Sequence, residues 1–378
     1  MRAIDKLRRS GIRRLGTPAS GFRWVGPGGR PLRGADLERV RALKLPPAWR
    51  EVHVSPRAGA KLQAVGRDGA GRWQYRYHPD FVRKRSEAKY RRLARIAAAL
   101  PRIRERVDRD LRRKGPCRER VLAAMIRILE TSFIRPGSEK YAVQNKSYGL
   151  TTLRPRHVRV AGDRIVFEFR GKSGQLQVRE REDARVAKVV RELLRVPGRD
   201  VFKFVEGGVV VDVRRRHLNA YIREVAGAPF TAKDFRTWAG TVLCASELAR
   251  RAASHAHARG RAPPRKKLAT EAVKAVADRL GNTPAVARAS YVNPVVLDAF
   301  DRGEVIGCCF EPDEIGVAVT RGLHRVEDAL LELLEARSRR GPALRVVKGG
   351  GRGAPPRNAR PTAATAKPLG RAARSAER

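Results

Sequence analysis

From Ser86 onward the apolar residues of this chain recur at the spacing of a helix. Leu93, Ile96, Ala97 and Leu100 fall at i, i+3, i+4 and i+7, and residues 121–133 repeat the stripe more densely. The period returns at residues 183–194, 214–225, 238–253, 271–280 and 326–336. One stretch breaks it: Val158-Arg159-Val160, then residues 164–169 and 175–178, alternate with a period of two. Gly162-Asp163 and Gly171-Lys172-Ser173-Gly174 supply the turns between them. Before Ser86 the pattern is different again. Phe22-Arg23-Trp24-Val25 and Trp73-Gln74-Tyr75-Arg76-Tyr77-His78 read as short aromatic strands, with turns at Gly26-Pro27-Gly28-Gly29 and Arg67-Asp68-Gly69.

These patterns predict an α+β chain in four parts. Residues 1–19 form an extension and residues 20–85 a small β-rich domain. Residues 86–336 form a larger, mainly α-helical domain containing a three-stranded antiparallel sheet. Residues 337–378, rich in Gly, Pro, Ala and Arg, lack the large apolar side chains that bury a core and are expected to be a disordered basic tail.

Charge changes the picture more than composition does. Apolar residues make up an ordinary 42% of the 378, but 83 Lys and Arg face 38 Asp and Glu, a net +45. The tail from Arg337 accounts for only +11, so residues 1–336 still carry +34. A polyanion is the expected partner. Four irregularly spaced cysteines (Cys117, Cys244, Cys308, Cys309) give neither a zinc-ligand spacing nor a disulfide framework. The basic N-terminus lacks the apolar run of a signal peptide, and no stretch approaches the roughly 18 apolar residues of a membrane span. A soluble, intracellular protein with reduced thiols is expected.

A basic chain without clustered carboxylates or a His-rich site is poorly suited to two-metal nuclease chemistry. Covalent catalysis remains: a hydroxyl attacks phosphorus while fixed cations neutralise the charge gathering on the non-bridging oxygens. Several residues have a context suited to it. Arg135 follows Phe133 and Ile134 where Pro136 and Gly137 stop a helix, although a solvated surface arginine is the plain alternative. Lys172 sits at a hairpin tip, from which it could donate a proton to a leaving oxygen. Its Gly-Lys-Ser context is not a nucleotide loop, because Val166 occupies the position of the required first glycine. Arg236 lies at the start of a helix opened by Thr231 or Asp234, where anions are favoured. Gly281-Asn282-Thr283-Pro284 caps a further helix, and Tyr291 falls near its end. Tyr221 shares a stripe with Leu218, Ile222 and Val225 and belongs to the core. His255 and His257 suggest a metal pair but have no acidic or cysteine partner nearby, so a solvent loop is expected there.

Taken in order, Ile134-Arg135-Pro136-Gly137, Gly171-Lys172, Lys233-Asp234-Phe235-Arg236-Thr237, Gly281-Asn282-Thr283-Pro284 and Ala289-Ser290-Tyr291 resemble the catalytic series of the poxvirus-type bacterial DNA topoisomerases IB. The likeness extends to Leu43-Lys44-Leu45-Pro46-Pro47-Ala48-Trp49, to Gly66-Arg67-Asp68 and to Gln74-Tyr75-Arg76-Tyr77-His78-Pro79, covering roughly residues 20–335. It implies that Tyr291 forms a 3′-phosphotyrosyl link, that Arg135 and Arg236 clamp the phosphate, and that Lys172 protonates the leaving 5′ oxygen. Gln74 and Tyr75 match family residues that touch DNA, although a packed strand with one solvated face is the plain alternative for Gln74, and the neighbouring Arg67, Arg76 and Tyr77 are expected to meet DNA as well. The partner the resemblance implies is double-stranded, supercoiled DNA, enclosed by a monomer acting as a clamp in the cytoplasm at the nucleoid, with no cofactor, no metal and no membrane.

Two other readings explain less. A site-specific tyrosine recombinase uses the same chemistry but typically shows His-x-x-Arg where this chain has Lys233-Asp234-Phe235-Arg236. A non-enzymatic DNA-coating protein accounts for +45 but not for the ordered series. One position departs from the poxvirus pattern, since Asn282 stands where those enzymes have histidine. A neutral amide can donate the same hydrogen bond but adds no charge. Cleavage is therefore expected to be slower than in an Asn282→His variant; equal or slower single-turnover cleavage by that variant would contradict this.

Overall fold

The computed structural model describes residues 3–256, 264–311, 313–317, 319 and 321–339. Its first elements are α1 (Ala3–Ser10), β1 (Ile12–Thr17), β2 (Gly21–Val25), α2 (Gly34–Ala42), β3 (Arg50–Val54), β4 (Leu62–Arg67) and β5 (Trp73–Tyr77). The strands form one antiparallel sheet in the order β2-β1-β3-β4-β5. Period two puts alternate residues on opposite faces. On one face Ile12, Trp24, Val52, Val54 and Ala64 pack with Val40 of α2; on the other, Leu62 and Val65 pack with Leu7 of α1. β4 is covered on both faces and is buried from Leu62 to Gly66. Gly66 is required there, because a Cβ would lie 2.7 Å from the Trp49 ring. The Leu43 to Trp49 motif thus works as packing for the sheet. Residues 12–17, assigned by pattern to an extension, are a paired strand of this sheet. Ile12 and Leu15 do not alternate regularly enough to signal it.

α3 (Pro79–Leu111) starts ahead of the visible period at Ser86, because its first turns are polar and mostly exposed. His78 caps it through its Nδ1, and Pro79 takes the first position. α4 (Arg118–Ser132) is buried nearly all round from Arg120 to Leu129 and packs against four other helices, which makes it the centre of the helical body. After α5 (Glu139–Asn145), strands β6 (Val158–Ala161), β7 (Arg164–Arg170) and β8 (Leu176–Glu182) pair antiparallel in that order, joined at the two expected turns. Asp183 caps α6 (Ala184–Arg195) by accepting from the amides of Arg185 and Val186. A further hairpin follows, β9 (Lys203–Glu206) and β10 (Val209–Asp212), joined by Gly207-Gly208 with both glycines at positive φ. The β-branched residues around that glycine pair are a hairpin signal that helix periodicity alone passes over.

The remaining helices are α7 (Arg215–Ala226), α8 (Ala232–Ala256), α9 (Arg265–Leu280), α10 (Pro284–Ser290), α11 (Pro294–Asp301) and α12 (Arg325–Arg339). Tyr221 is fully buried, and its hydroxyl donates to Asp110 Oδ2 at 2.7 Å. His255 lies in the last turn of α8 rather than in a loop, its Nδ1 2.7 Å from the Arg251 carbonyl oxygen. His257 and residues 340–378, which hold most of the expected tail, lie outside the described residues; residues 337–339 continue α12. Among the described residues no helix is long and apolar enough to cross a membrane, and no group of three or more His, Cys, Asp or Glu is placed to hold a metal.

One buried ionic cluster joins α12 to the body. Arg104 of α3 donates to Glu130 of α4 at 3.1 Å and, bidentately, to Glu327 of α12 at 2.8 and 3.0 Å. Trp238 Nε1 of α8 donates to Glu327 at 2.9 Å. Burial raises the Glu130 pKa, while Arg104 holds Glu327 low against the same effect. Removing the shared cation strands two buried carboxyl groups. Arg104→Met is expected to lose about 3–5 kcal/mol of stability. Urea unfolding checks this, and a loss under about 1 kcal/mol would show that the cluster contributes little.

Candidate active site

The site is assembled where α4, α8, α9 and α10 end or begin. Asp234 fixes the start of α8, its Oδ2 accepting from the backbone amide and the hydroxyl of Thr231, both at 2.8 Å. One turn in, Arg236 is only 2% exposed. Its Nη1 donates to the carbonyl of Phe133 and its Nη2 to the carbonyl of Leu280 at 2.9 Å. These carbonyls belong to the C-terminal ends of α4 and α9, where acceptors lack helical partners and a cation is favoured. Phe133 follows α4 at φ 54°, a left-handed conformation uncommon for a bulky residue, so the chain turns sharply there. Burial lowers the Arg236 pKa, but a guanidinium keeps its charge at neutral pH.

The turn carries Arg135 to the same place. Its backbone is held by Leu150, whose amide donates to the Arg135 carbonyl at 2.8 Å. Gly149 permits that approach, since a Cβ would stand 2.6 Å from the Arg135 oxygen. The Arg135 side chain donates through Nη2 to the Gly281 carbonyl at 2.7 Å and to Asn282 Oδ1. Gly281 ends α9 at φ 59°, against Gln177 of β8, which would meet a Cβ there at 2.6 Å. With Oδ1 turned to Arg135, Asn282 Nδ2 points elsewhere. Both it and Arg236 Nε are buried donors without an acceptor among the described residues.

Tyr291 follows α10, which Thr283 caps and Pro284 opens. Its amide donates to Ala287 at 2.9 Å, and its carbonyl accepts from Thr241 Oγ1 of α8 at 3.1 Å. The Arg236 guanidinium carbon lies 5.2 Å from the centre of the Tyr291 ring. Burial by itself would push the phenol pKa up. The opposing charges of Arg236, Arg135 and Lys233 outweigh it and hold the pKa below the ordinary tyrosine value.

Four of the five residues singled out for catalysis in the sequence therefore meet: Arg135, Arg236, Asn282 and Tyr291. Lys172 does not join them. It is exposed at the β7–β8 tip, beside Ser173 at φ 62°, and no hydrogen bond or ion pair among the described residues links it to the other four. On β5, Tyr75 and Tyr77 are exposed and stack with ring centres 6.2 Å apart, and Arg76 is exposed next to them. Gln74 and Arg67 are engaged within their own domain. Gln74 Nε2 donates to Asp68 at 2.8 Å, and Arg67 pairs with Glu51 at 2.8 Å and lies over the Trp73 ring.

Several residues at the site escape pattern reading. Lys89 and Tyr90 of α3 bond to the backbone on either side of Tyr291. Arg179 of β8 donates to the Arg279 carbonyl at 3.1 Å near the end of α9. Gly240 makes room for the Tyr291 backbone. Nothing in their local sequence separates them from their neighbours in the same helix or strand, because their roles arise only from tertiary contact.

Comparison with known proteins agrees with this architecture. Residues 78–298 match the family described as eukaryotic DNA topoisomerase I, catalytic core, and residues 21–68 match bacterial DNA topoisomerase IB, N-terminal domain. DNA topoisomerase 1B of Acanthamoeba polyphaga mimivirus is 33% identical over 275 residues, 70% of this chain and 80% of that protein. DNA topoisomerase 1B of vaccinia virus (strain Copenhagen) is 25% identical over 268 residues, 69% of this chain and 81% of that one. Among solved structures, the XerH site-specific recombinase bound to its difH substrate has a TM-score of 0.31 and 12% identity, covering 55% of this chain and 53% of that chain, too slight a likeness to bear on the assignment. Both family matches fall in one class of protein, the DNA topoisomerases. Within that class the chain belongs to the type IB family, a family of isomerases.

The contact between α8 and Tyr291 can be tested directly. A Cβ at Gly240 would lie 2.9 Å from both the Cβ and the carbonyl oxygen of Tyr291. Gly240→Ala is expected to shift the phenol and slow single-turnover cleavage on the order of 10²-fold while duplex affinity is kept. Wild-type cleavage by this variant would show that the packing is not limiting.

Proposed function

We propose that this chain relaxes supercoiled double-stranded DNA, without ATP or a metal, by cutting one strand, letting it rotate and resealing it. The observation that carries the reading is the gathering of two fixed guanidinium groups, Arg135 and Arg236, about one phenol of lowered pKa, with Asn282 bonded to Arg135 beside them. Such an arrangement suits a phosphate diester, whose non-bridging oxygens accept hydrogen bonds and gather charge during displacement.

In the forward step the Tyr291 oxygen attacks phosphorus. A phosphorus–tyrosine ester forms at the 3′ side, the bond to the 5′ oxygen breaks, and that oxygen takes a proton from Lys172. The phenolic proton is released to solvent. Arg135 and Arg236 neutralise the non-bridging oxygens, and Asn282 donates to one of them through Nδ2. In reverse the 5′-hydroxyl attacks, its proton returns to Lys172 and Tyr291 leaves. One ester replaces another at each step, so resealing requires no external energy source. Lys172 lies on an exposed hairpin tip and reaches the phosphate once the duplex is seated. Tyr75, Arg76 and Tyr77 of β5 contact the duplex, and Gln74 and Arg67 join them by exchanging their contacts to Asp68 and Glu51. The protein acts as a monomeric clamp on the nucleoid in the cytoplasm.

Relaxation of supercoiled plasmid in EDTA without ATP is the direct test. The wild type is expected to relax both signs of supercoil and to yield a 3′-linked adduct at Tyr291. Tyr291→Phe is expected to bind DNA normally and relax none; undiminished relaxation by it would remove Tyr291 from the mechanism. The pH dependence follows from the lowered phenol pKa. The ionised nucleophile accumulates as pH rises through that value, so the cleavage rate should climb with a midpoint below the ordinary tyrosine value, and a midpoint at or above about 10 would contradict the electrostatic argument.

A further inference from the structure

β5 runs directly into α3, and α3 reaches the segment that carries Tyr291. Lys89 Nζ donates to the Ser290 carbonyl at 2.6 Å, and the Tyr90 hydroxyl donates to the Val292 carbonyl at 2.9 Å. These carbonyls belong to the residues immediately before and after Tyr291. Ser290 is the last residue of α10, where carbonyls have no partner within the helix. Val292 is fully buried, so its carbonyl needs a donor from the protein. Two residues adjacent in one helix thus supply a donor to each flank of one phenol-bearing residue.

The two donors are themselves constrained. Lys89 lies 4.6 Å from the Tyr90 ring centre and 3.4 Å from its hydroxyl. Burial pushes the Tyr90 pKa up to about 12, so the hydroxyl keeps the proton it donates. One turn along the same face, Arg92 pairs with Asp234 at 2.9 Å, the carboxylate that fixes the start of α8 two residues before Arg236. One turn of α3, residues 89–92, therefore holds both the Tyr291 backbone and the helix that presents Arg236.

We infer that Lys89 and Tyr90 are positioning residues that aim the Tyr291 hydroxyl for in-line attack by gripping the backbone on both sides of it. This aim depends on how α3 is seated against α4, α7 and α8. Neither residue touches the reacting phosphate. The inference rests on the reading of Tyr291 as the nucleophile.

The test measures single-turnover cleavage and resealing by Tyr90→Phe, Lys89→Met and Lys89→Arg, with duplex affinity and urea stability determined alongside. Tyr90→Phe keeps the ring and removes one oxygen, which limits its effect on folding. Tyr90→Phe and Lys89→Met are each expected to slow cleavage roughly 10- to 100-fold, the effect of a small misplacement of a reacting group. Resealing should slow by the same factor, because the nucleophile of one direction is the leaving group of the other. Duplex affinity should be unchanged, and Lys89→Arg should recover most of the rate. Slowing that merely tracks lost stability or weaker binding would assign the residues to packing alone and overturn the inference. Wild-type rates in both variants, with the wild-type adduct mapped to Tyr291, would overturn it and leave the nucleophile assignment standing. An adduct on another residue would overturn the nucleophile assignment first.

Discussion

Burying a guanidinium to 2% exposure is costly unless its donors find acceptors, and Arg236 places both of its Nη groups on carbonyls at the ends of two helices. The α4 and α9 termini supply carbonyls that would otherwise need solvent. The arginine thus solves a problem for both helices while they solve one for it. This mutual satisfaction sets the angle at which α4, α8 and α9 meet. It also sets the Arg236 guanidinium carbon 5.2 Å from the centre of the Tyr291 ring. Arg135 repeats the device one residue further along α9, on the carbonyl of Gly281.

The backbone pays for this convergence in conformation. Phe133 adopts positive φ, at a price of roughly 1–2 kcal/mol for a residue with a side chain. Gly149 and Gly240 mark the other close approaches, one beneath Arg135 and one beneath Tyr291. Strain and glycines gather around the phenol because three helix ends and two loops compete for the same small volume.

Much of this was readable in the chain, and the reasons differ by element. The helices after Ser86 announce themselves through apolar stripes that core packing enforces, and Tyr221 was readable as core for the same cause. The β6–β8 meander was visible through alternation and glycine turns. β1 escaped because its alternation is weak and its pairing with β3 is non-local. The β9–β10 hairpin is masked although Gly207-Gly208 marks its turn, because its strands are only four residues long and helical periods flank them on both sides. At the site, Arg135, Arg236, Asn282 and Tyr291 stood out through caps and helix ends, and these features do bring them together. Lys89 and Tyr90 could not stand out, because no local pattern encodes a hydrogen bond between residues about 200 positions apart, and Gly240 could not because its close approach to Tyr291 is equally non-local.

The ionic cluster on Glu327 bears on how far the chain can be trimmed or extended. α12 is fastened near its beginning, by a carboxylate that answers to Arg104 and Trp238, whereas its last turn, through Ser338 and Arg339, is mostly exposed. Fusion partners or tags placed after Arg339 leave that fastening intact. A truncation ahead of Glu327 would instead deprive Arg104 of its bidentate partner and Trp238 of its acceptor, two residues along α8 from Arg236. Beyond that charge, Leu330 and Leu334 are still buried in the core, so the working C-terminal boundary of the catalytic body lies past Leu334.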